Sequence, residues 1–228
     1  MLLTKFSHSC VRLEQDGSVL VIDPGSFSEV EEALEGAAAI LVTHEHPDHI
    51  DLDRVVAVLA ADRSLHLWAP SGVADAVTRG LGDAAGDRIH AVAGGEEFSA
   101  AGFDVRTFGG QHALIHPLIP MIANVGFLVR GAGGSGGAGG SVYHPGDSFV
   151  VPDGTDVGTL LVPVHAPWSK LAEVVDFVAS VRAPRAFQIH DALLNETGLG
   201  MVEGHVTRLG GRYGTAFRHL GVREGVEV

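Results

Sequence analysis

The sequence has very little cysteine. Cys10 is the only cysteine in 228 residues, so the chain cannot form an internal disulfide. The lack of such a bond suits a reducing compartment, and we expect a cytoplasmic protein. We interpret Cys10 as a small buried apolar residue rather than a reactive thiol.

Long apolar runs and positive charges are also scarce. No apolar run approaches the roughly 20 residues that a membrane-spanning helix needs, and residues 1–15 alternate like a strand, without the apolar core of a signal peptide. The chain has 15 Lys and Arg against 28 Asp and Glu, a formal net charge of -13. Such a surface repels phosphate backbones and anionic lipids, so we expect a small-molecule substrate, no membrane partner and no broad nucleic-acid binding. The composition permits a homo-oligomer without requiring one.

Hairpin-like strands are mixed with strand–helix units along the chain. Three strand-like segments with a turn at Asp16–Gly17 come first, and AAILVT is then followed by the helically spaced LDRVVAVLA. No repeat and no linker divides the chain. We therefore predict a single domain, residues 1–228, of the α+β class, with two mixed sheets packed together and helices outside.

The glycine-rich run at 131–140 matches two short motifs. It fits both G-x-G-x-x-G and G-x-S-x-G. A dinucleotide fingerprint or a nucleophile elbow needs a helix after it, whereas a strand-like segment follows here. Low complexity alone produces such matches, so we interpret the run as a flexible hairpin loop.

The stretch HEHPDH, residues 44–49, concentrates three histidines and two acids. The helical zinc-protease motif H-E-x-x-H does not fit, because position 48 is aspartate and a proline precedes it. Imidazole and carboxylate are nevertheless ligands for zinc, manganese and iron. In an extended turn His44 and His46 point the same way, and Asp48 and His49 can face a second ion. The alternative is a polar loop in which Asp48 caps the following helix.

More histidine and aspartate residues stand at or just past the carboxyl ends of apolar strands. Besides His44 they are His112, Asp147, His165 and His190. Ligands in proteins built of sheets and helices gather at such strand ends, so five of these positions predict one shared site.

Several further residues are expected to support the site or the core. We expect His8 to be a hydrogen-bonded buried histidine and Asp23 to orient a histidine of the site or to cap a turn. Trp168 is expected in the core, with a position at the border of the pocket as the alternative. His116 and His144 are expected in supporting or surface positions.

The pattern His44-x-His46-x-Asp48–His49, followed by His112, Asp147 and His190, resembles the metallo-β-lactamase superfamily over nearly the whole chain. Residues 1–15, the Ile22–Asp23–Pro24 step and PVHAPW resemble the branch of the ascorbate-6-phosphate lactonase-like enzymes.

The resemblance implies a four-layer αββα sandwich with two divalent metal ions at one edge. It implies one ion on His44, His46 and His112, a second on Asp48, His49 and His190, and Asp147 between them. Zinc is the first expectation, with manganese or iron as alternatives.

The expected activity is that of a metal-dependent hydrolase. A metal-bridging hydroxide would act on an ester, a lactone or a related small substrate. Asp48 would orient the nucleophile or pass a proton, and His165 would protonate the leaving group, contact substrate or be structural. Two divalent ions outweigh two aspartates and a hydroxide in charge, so an anionic substrate is expected. The alternatives are a small-substrate phosphodiesterase, an iron-dependent redox enzyme and a non-catalytic metal-binding protein.

Overall fold

The computed structural model describes residues 1–131 and 140–228. The glycine-rich hairpin loop predicted at 131–140 falls mostly on residues 132–139, which lie outside the described residues. Within the described residues the strands form two seven-stranded sheets.

The strands, in chain order, are β1 Leu2–Lys5, β2 Val11–Gln15, β3 Ser18–Ile22, β4 Ala39–Leu41, β5 His66–Ala69, β6 Ile89–Ala91, β7 Glu97–Ala100, β8 Phe103–Gly109, β9 Val125–Arg130, β10 Ser141–His144, β11 Thr159–Pro163, β12 Arg185–Ile189, β13 Ala216–Arg218 and β14 Gly225–Glu227. The helices are α1 Val30–Ala33, α2 Leu52–Ala61, α3 Ser71–Leu81, α4 Leu171–Val181 and α5 Glu196–Gly210.

Both sheets are mixed. The first has the order β14-β1-β2-β3-β4-β5-β6, with antiparallel pairs up to β3 and parallel pairs from β3 to β6. The second has the order β13-β12-β11-β10-β9-β8-β7, with parallel pairs from β10 to β13 and antiparallel pairs elsewhere. Parallel strands end at the same edge of a sheet, and these ends carry the site.

Three apolar layers hold the sheets and helices together. Along β3, Val21 faces the layer shared with α1, α2 and α3, while Leu20 and Ile22 face the layer between the sheets. The third layer lies between the second sheet and α4 and α5, and contains Phe177 and Val206. Successive side chains of a strand point to opposite faces, which explains why β3 is apolar at every central position. The predicted αββα sandwich is confirmed.

No helix among the described residues has both the length and the apolar character needed to cross a membrane.

Candidate metal centre

The HEHPDH loop follows β4 and is held as a tight turn. The N–H of His49 donates to the carbonyl of His46 at 2.9 Å, and the N–H of Ser26 donates to the carbonyl of Pro47 at 2.8 Å. The second bond joins the turn to the loop that follows β3. The turn is therefore supported from outside its own sequence.

The helix after this loop does not use Asp48 as its cap. α2 begins at Leu52, as predicted, but its N-cap is Asp51, whose side chain accepts from the N–H of Arg54. The capping alternative for Asp48 is therefore wrong. The Asp48 carboxylate faces the cavity instead.

Two groups of histidine and aspartate meet where the two sheets adjoin. Within each group the potential metal-binding atoms all lie within 4.8 Å of one another. The groups are His44, His46, His112 and Asp147, and His8, Asp48, His49 and His190. The structure thus brings together all seven side chains predicted as ligands, and adds His8.

Asp147 lies between the two groups. Its Oδ1 is 3.0 Å from Nε2 of His49, and its Oδ2 is 3.3 Å from Nε2 of both His112 and His190. One carboxylate therefore faces histidines of both groups, as the bridging prediction requires.

Several of these converging atoms are buried without a hydrogen-bond partner. They are Nε2 of His49, His112 and His190, and Oδ1 of Asp147. His49 Nε2 and Asp147 Oδ1 approach closely but lack hydrogen-bond geometry. A buried polar atom left unpaired costs about 1–3 kcal/mol. Inward-facing lone pairs on imidazole and carboxylate are the donor set that zinc, manganese or iron binds, so these residues fit a divalent metal ion.

Main-chain carbonyls set the orientation of two of the imidazoles. Nδ1 of His112 donates to the carbonyl of Ala113, and Nδ1 of His190 donates to the carbonyl of His165, each at 2.6 Å. A hydrogen on Nδ1 leaves the lone pair of a neutral imidazole on Nε2, directed at the centre.

Asp23 orients the histidines that follow β4. Its buried carboxylate accepts from Nδ1 of His49 at 2.6 Å and from both the N–H and the hydroxyl of Thr43 at 2.7 Å. Because the Thr43 hydroxyl donates to Asp23, it accepts from Nδ1 of His44, 3.0 Å away. The prediction that Asp23 orients a histidine of the site is confirmed.

Three residues of the site have left-handed backbone conformations. φ is 59° at His8, 52° at Asp23 and 59° at His190. Non-glycine residues held in this region cost on the order of 1–3 kcal/mol each and concentrate at functional sites. The fold thus holds these side chains against a local conformational cost.

Burial and mutual contact shift the protonation of the cluster. Burial, with His49 nearby, lowers the pKa of His44 well below its usual value. Burial opposes ionisation of Asp48, but the hydrogen bond from His8 together with the nearby His49 and His190 outweighs it, and the pKa of this carboxyl is lowered to about 2. Burial likewise opposes ionisation of Asp147, yet His49 and other neighbours hold its pKa well below the usual range. The two aspartates are therefore carboxylates at neutral pH.

His8 has a more specific partner than the sequence indicated. It is buried, as expected, and its Nδ1 accepts from the N–H of Ala192 at 3.4 Å. Nε2 therefore carries the hydrogen and donates to Oδ2 of Asp48 at 3.1 Å. This makes His8 a positioning residue for Asp48, since a nitrogen that donates a hydrogen has no lone pair for a metal.

Trp168 lies at the cavity and not in the core, so the core expectation was wrong and its alternative, the border of the pocket, is what the structure shows. It is partly exposed, packs beside Phe149 with ring centroids 5.0 Å apart, and lines the cavity. Its indole N–H donates to Oδ2 of Asp147 at 2.9 Å. The buried N–H of a tryptophan usually finds a partner, but the sequence gives no sign of which one.

The other histidines near the site have lesser roles. His165 is half-buried and reaches the centre through its carbonyl, and its imidazole is not among the described side chains that line the cavity. A catalytic role for that side chain stays a prediction. His144 is buried and donates to the carbonyl of Ser9, and His116 is exposed, as expected of supporting and surface residues.

Comparison with known proteins identifies the family. Residues 2–190 match the family described as the β-lactamase superfamily domain. The chain belongs to the β-lactamase superfamily. It is thereby placed among the metal-dependent hydrolases of the metallo-β-lactamase fold, and the superfamily prediction is confirmed. The ascorbate-6-phosphate lactonase-like branch stays a prediction.

Two relatives and one solved structure illustrate the similarity. The β-lactamase superfamily protein is 38% identical to protein Rv0786c of Mycobacterium tuberculosis over 92% of each chain. It is 30% identical to a UPF0173 metal-dependent hydrolase of Xanthobacter autotrophicus, over 73% of this chain and 68% of the relative. The structure of Igni18, a metallo hydrolase from Ignicoccus hospitalis, superposes with a TM-score of 0.72 at 17% identity, covering 99% of this chain and 97% of that one. At that identity the likeness shows the fold alone.

Proposed function

We propose that the protein is a binuclear metal-dependent hydrolase that cleaves an ester or lactone bond in a small, anionic substrate. The observation that carries this proposal is the convergence of unpaired buried imidazole and carboxylate atoms from both groups on one cavity. The cavity has a volume of about 350 Å³, within the range of small-molecule sites.

The proposed ligand assignment follows the two groups. One ion would be held by His44, His46 and His112, and the other by Asp48, His49 and His190, with Asp147 shared. For His46 the inward atom is Nδ1, which lies 3.1 Å from Nε2 of His44. Without an ion this contact is a hydrogen bond in which Nδ1 of His46 donates to Nε2 of His44. With the hydrogen on Nε2 of His46 instead, both nitrogens lie close enough to bind one ion.

Two divalent ions bound here would supply a water of lowered pKa and a Lewis acid for the substrate carbonyl. The chain's own contribution is orientation. His8 donates to Oδ2 of Asp48. The other carboxylate oxygen of Asp48, Oδ1, can therefore accept a hydrogen from a water that lies beside the substrate carbonyl. Trp168 and the outward hydrogen bonds of the histidines fix the remaining groups, which limits reorganisation during reaction.

The anionic character of the substrate rests on charge. The cavity contains the carboxylates of Asp48 and Asp147, which two divalent ions outweigh. No lysine or arginine is among the described residues that line the cavity. An anionic group would therefore be bound at the ions, as a sugar phosphate lactone or an ester with a free carboxylate would allow.

Metal content and hydrolysis together test the proposal. We expect near two ions per chain by mass spectrometry, and less in both His46→Ala and His190→Ala. His219→Ala is the matched control, because His219 lies on the surface against Glu203. The metal-loaded protein and each variant are then assayed on lactones, carboxylate esters and small phosphodiesters.

The outcomes separate the candidate functions. Hydrolysis of esters or lactones that is lost with the ions supports the proposal. Turnover restricted to phosphodiesters would replace it with a small-substrate phosphodiesterase. Bound metal with no turnover in the whole panel would favour a metal-binding protein, and failure to bind metal would refute the binuclear centre.

A further inference from the structure

The cavity above the proposed metal ligands has apolar walls. Apart from the site histidines and aspartates, its lining consists of Ser26 and of six apolar residues, which are Phe27, Pro47, Ile115, Pro167, Trp168 and Leu193. The polar groups are thus confined to the metal ligands and to one serine.

Phe27 and Leu193 stand on two different loops at the mouth of this cavity. Phe27 lies between β3 and α1 and is 47% exposed, and Leu193 lies between β12 and α5 and is 48% exposed. Phe27 contacts the site directly, since its ring lies edge-on to His8 with centroids 5.2 Å apart. Large apolar side chains that border a concave site lose water contact when an apolar ligand group covers them.

The neighbouring cleft differs in character. It has a volume of about 980 Å³ and shares His112, Ile115, Pro167 and Trp168 with the cavity, but its lining also includes the polar side chains of Gln111, Lys170 and Glu173. Both sides have apolar walls, but only the cleft adds a lysine and a glutamate, whereas the side bordered by Phe27 and Leu193 has no charged lining besides the site residues. The two sides of the centre suit chemically different halves of a substrate.

We propose that the substrate carries an alkyl or aryl group next to the scissile carbonyl and that Phe27 and Leu193 select for it. This inference rests on the proposed function. It is compatible with an anionic substrate, because the anionic group would lie at the ions while the apolar group lies against the walls. The favoured class is therefore an ester or lactone with a medium-length acyl chain.

Turnover of an ester series measures this selection. The metal-loaded protein is assayed on p-nitrophenyl acetate, butyrate and hexanoate. We expect kcat/KM to rise about two- to fourfold per methylene, the upper value being the transfer of one CH₂ out of water. In Phe27→Ala and Leu193→Ala the ratio of hexanoate to acetate should fall at least fivefold. Met201→Ala is the control, since Met201 is 64% exposed on α5 away from the cavity.

The affinity for non-hydrolysed ligands tests the same chain-length selection without turnover. Alkyl hydroxamates from acetyl to hexanoyl are titrated into the metal-loaded protein by calorimetry. In the wild type and in Met201→Ala we expect Kd to fall about two- to fourfold per methylene. In Phe27→Ala and Leu193→Ala we expect Kd to be independent of chain length.

The two measurements distinguish the possible failures. Ester turnover with no dependence on chain length overturns the inference while the proposed function stands. Absence of turnover of these neutral esters with length-dependent hydroxamate binding supports the apolar site and restricts hydrolysis to substrates that carry the proposed anionic group. Hydroxamates that bind equally well at every length, or a dependence that persists in both variants, refute the role of Phe27 and Leu193.

Discussion

At the scale of single residues, six of the seven predicted metal ligands, all but His46, are fixed by a second residue behind them. Asp23, Thr43 and main-chain carbonyls take the Nδ1 hydrogens of four histidines, while His8 and Trp168 each donate to one carboxylate. These contacts decide which lone pairs face the centre. Such supporting partners typically change metal affinity or activity by about 10–100-fold when they are removed.

Trp168→Phe isolates one of these supporting contacts. The substitution keeps an aromatic ring but removes the N–H that donates to Asp147. We expect metal affinity to weaken about tenfold, measured by competition with a chelating dye. Trp68→Phe is the matched control, because Trp68 stacks against His90 and Phe98 instead. Equal affinity in both variants would show that the Trp168 hydrogen bond does not support the centre.

The sequence predicted the ligands better than their supporting contacts. The HEHPDH spacing and the positions of histidine and aspartate at strand ends are local features, so the seven ligand candidates could be named without a structure. The contacts of His8 and Trp168 join residues 40 and 21 positions apart. Nothing in the neighbourhood of either residue encodes its partner, since only the packing of the two sheets brings the partners together.

At the scale of elements, alternation and apolar spacing predicted most strands and helices. β13 shows the limit of this signal, because its three residues, Ala216–Arg218, are too few to show a period. Caps are a second limit: the sequence suggested Asp48 as the N-cap of α2, but the observed hydrogen bond shows that Asp51 takes this position. Short elements and caps depend on contacts rather than on patterns.

Gly146, in the turn after β10, packs closely against Asn124 and Thr43, and a substitution there tests whether this close packing is required. Gly146 has φ of 62°, and an added Cβ would lie 2.3 Å from Oδ1 of Asn124 and 2.7 Å from Cβ of Thr43. We expect Gly146→Ala to lower the free energy of unfolding by about 2–4 kcal/mol, from left-handed strain together with overpacking. Gly86→Ala carries only the strain, because Gly86 has φ of 58° and no neighbour within 4 Å. Chemical denaturation of both variants measures the difference, and equal losses would mean that the approach is not restrictive.

At the scale of the whole molecule, the proposed metal centre joins the two sheets. His44, His46, Asp48 and His49 follow β4 of the first sheet, while His112, Asp147 and His190 follow strands of the second. Ions bound by both sets would be lost when the sheets separate. Metal binding should therefore stabilise the folded chain as a unit, because a ligand that binds only the folded state adds its binding free energy.

Removal of the metal with a chelator tests this coupling. A ligand at a hundred times its Kd adds about 2.7 kcal/mol, which corresponds to roughly 5–10 °C in Tm for a chain of this size. We expect the chelator to lower Tm by that amount in the wild type and to have no effect in a His44→Ala, His190→Ala double variant.

Labelling of Cys10 measures independently the loss of thermal stability that chelation is expected to cause. Cys10 is buried, and burial raises its pKa to about 12, so at pH 8 the native thiol holds its proton and should not react. Unfolding exposes a thiol of ordinary pKa, so labelling should begin at the lowered Tm after chelation. If chelation removed the metal and left both Tm and the onset of labelling unchanged, metal binding would not be coupled to the folded state, and the ions would not hold the two sheets together.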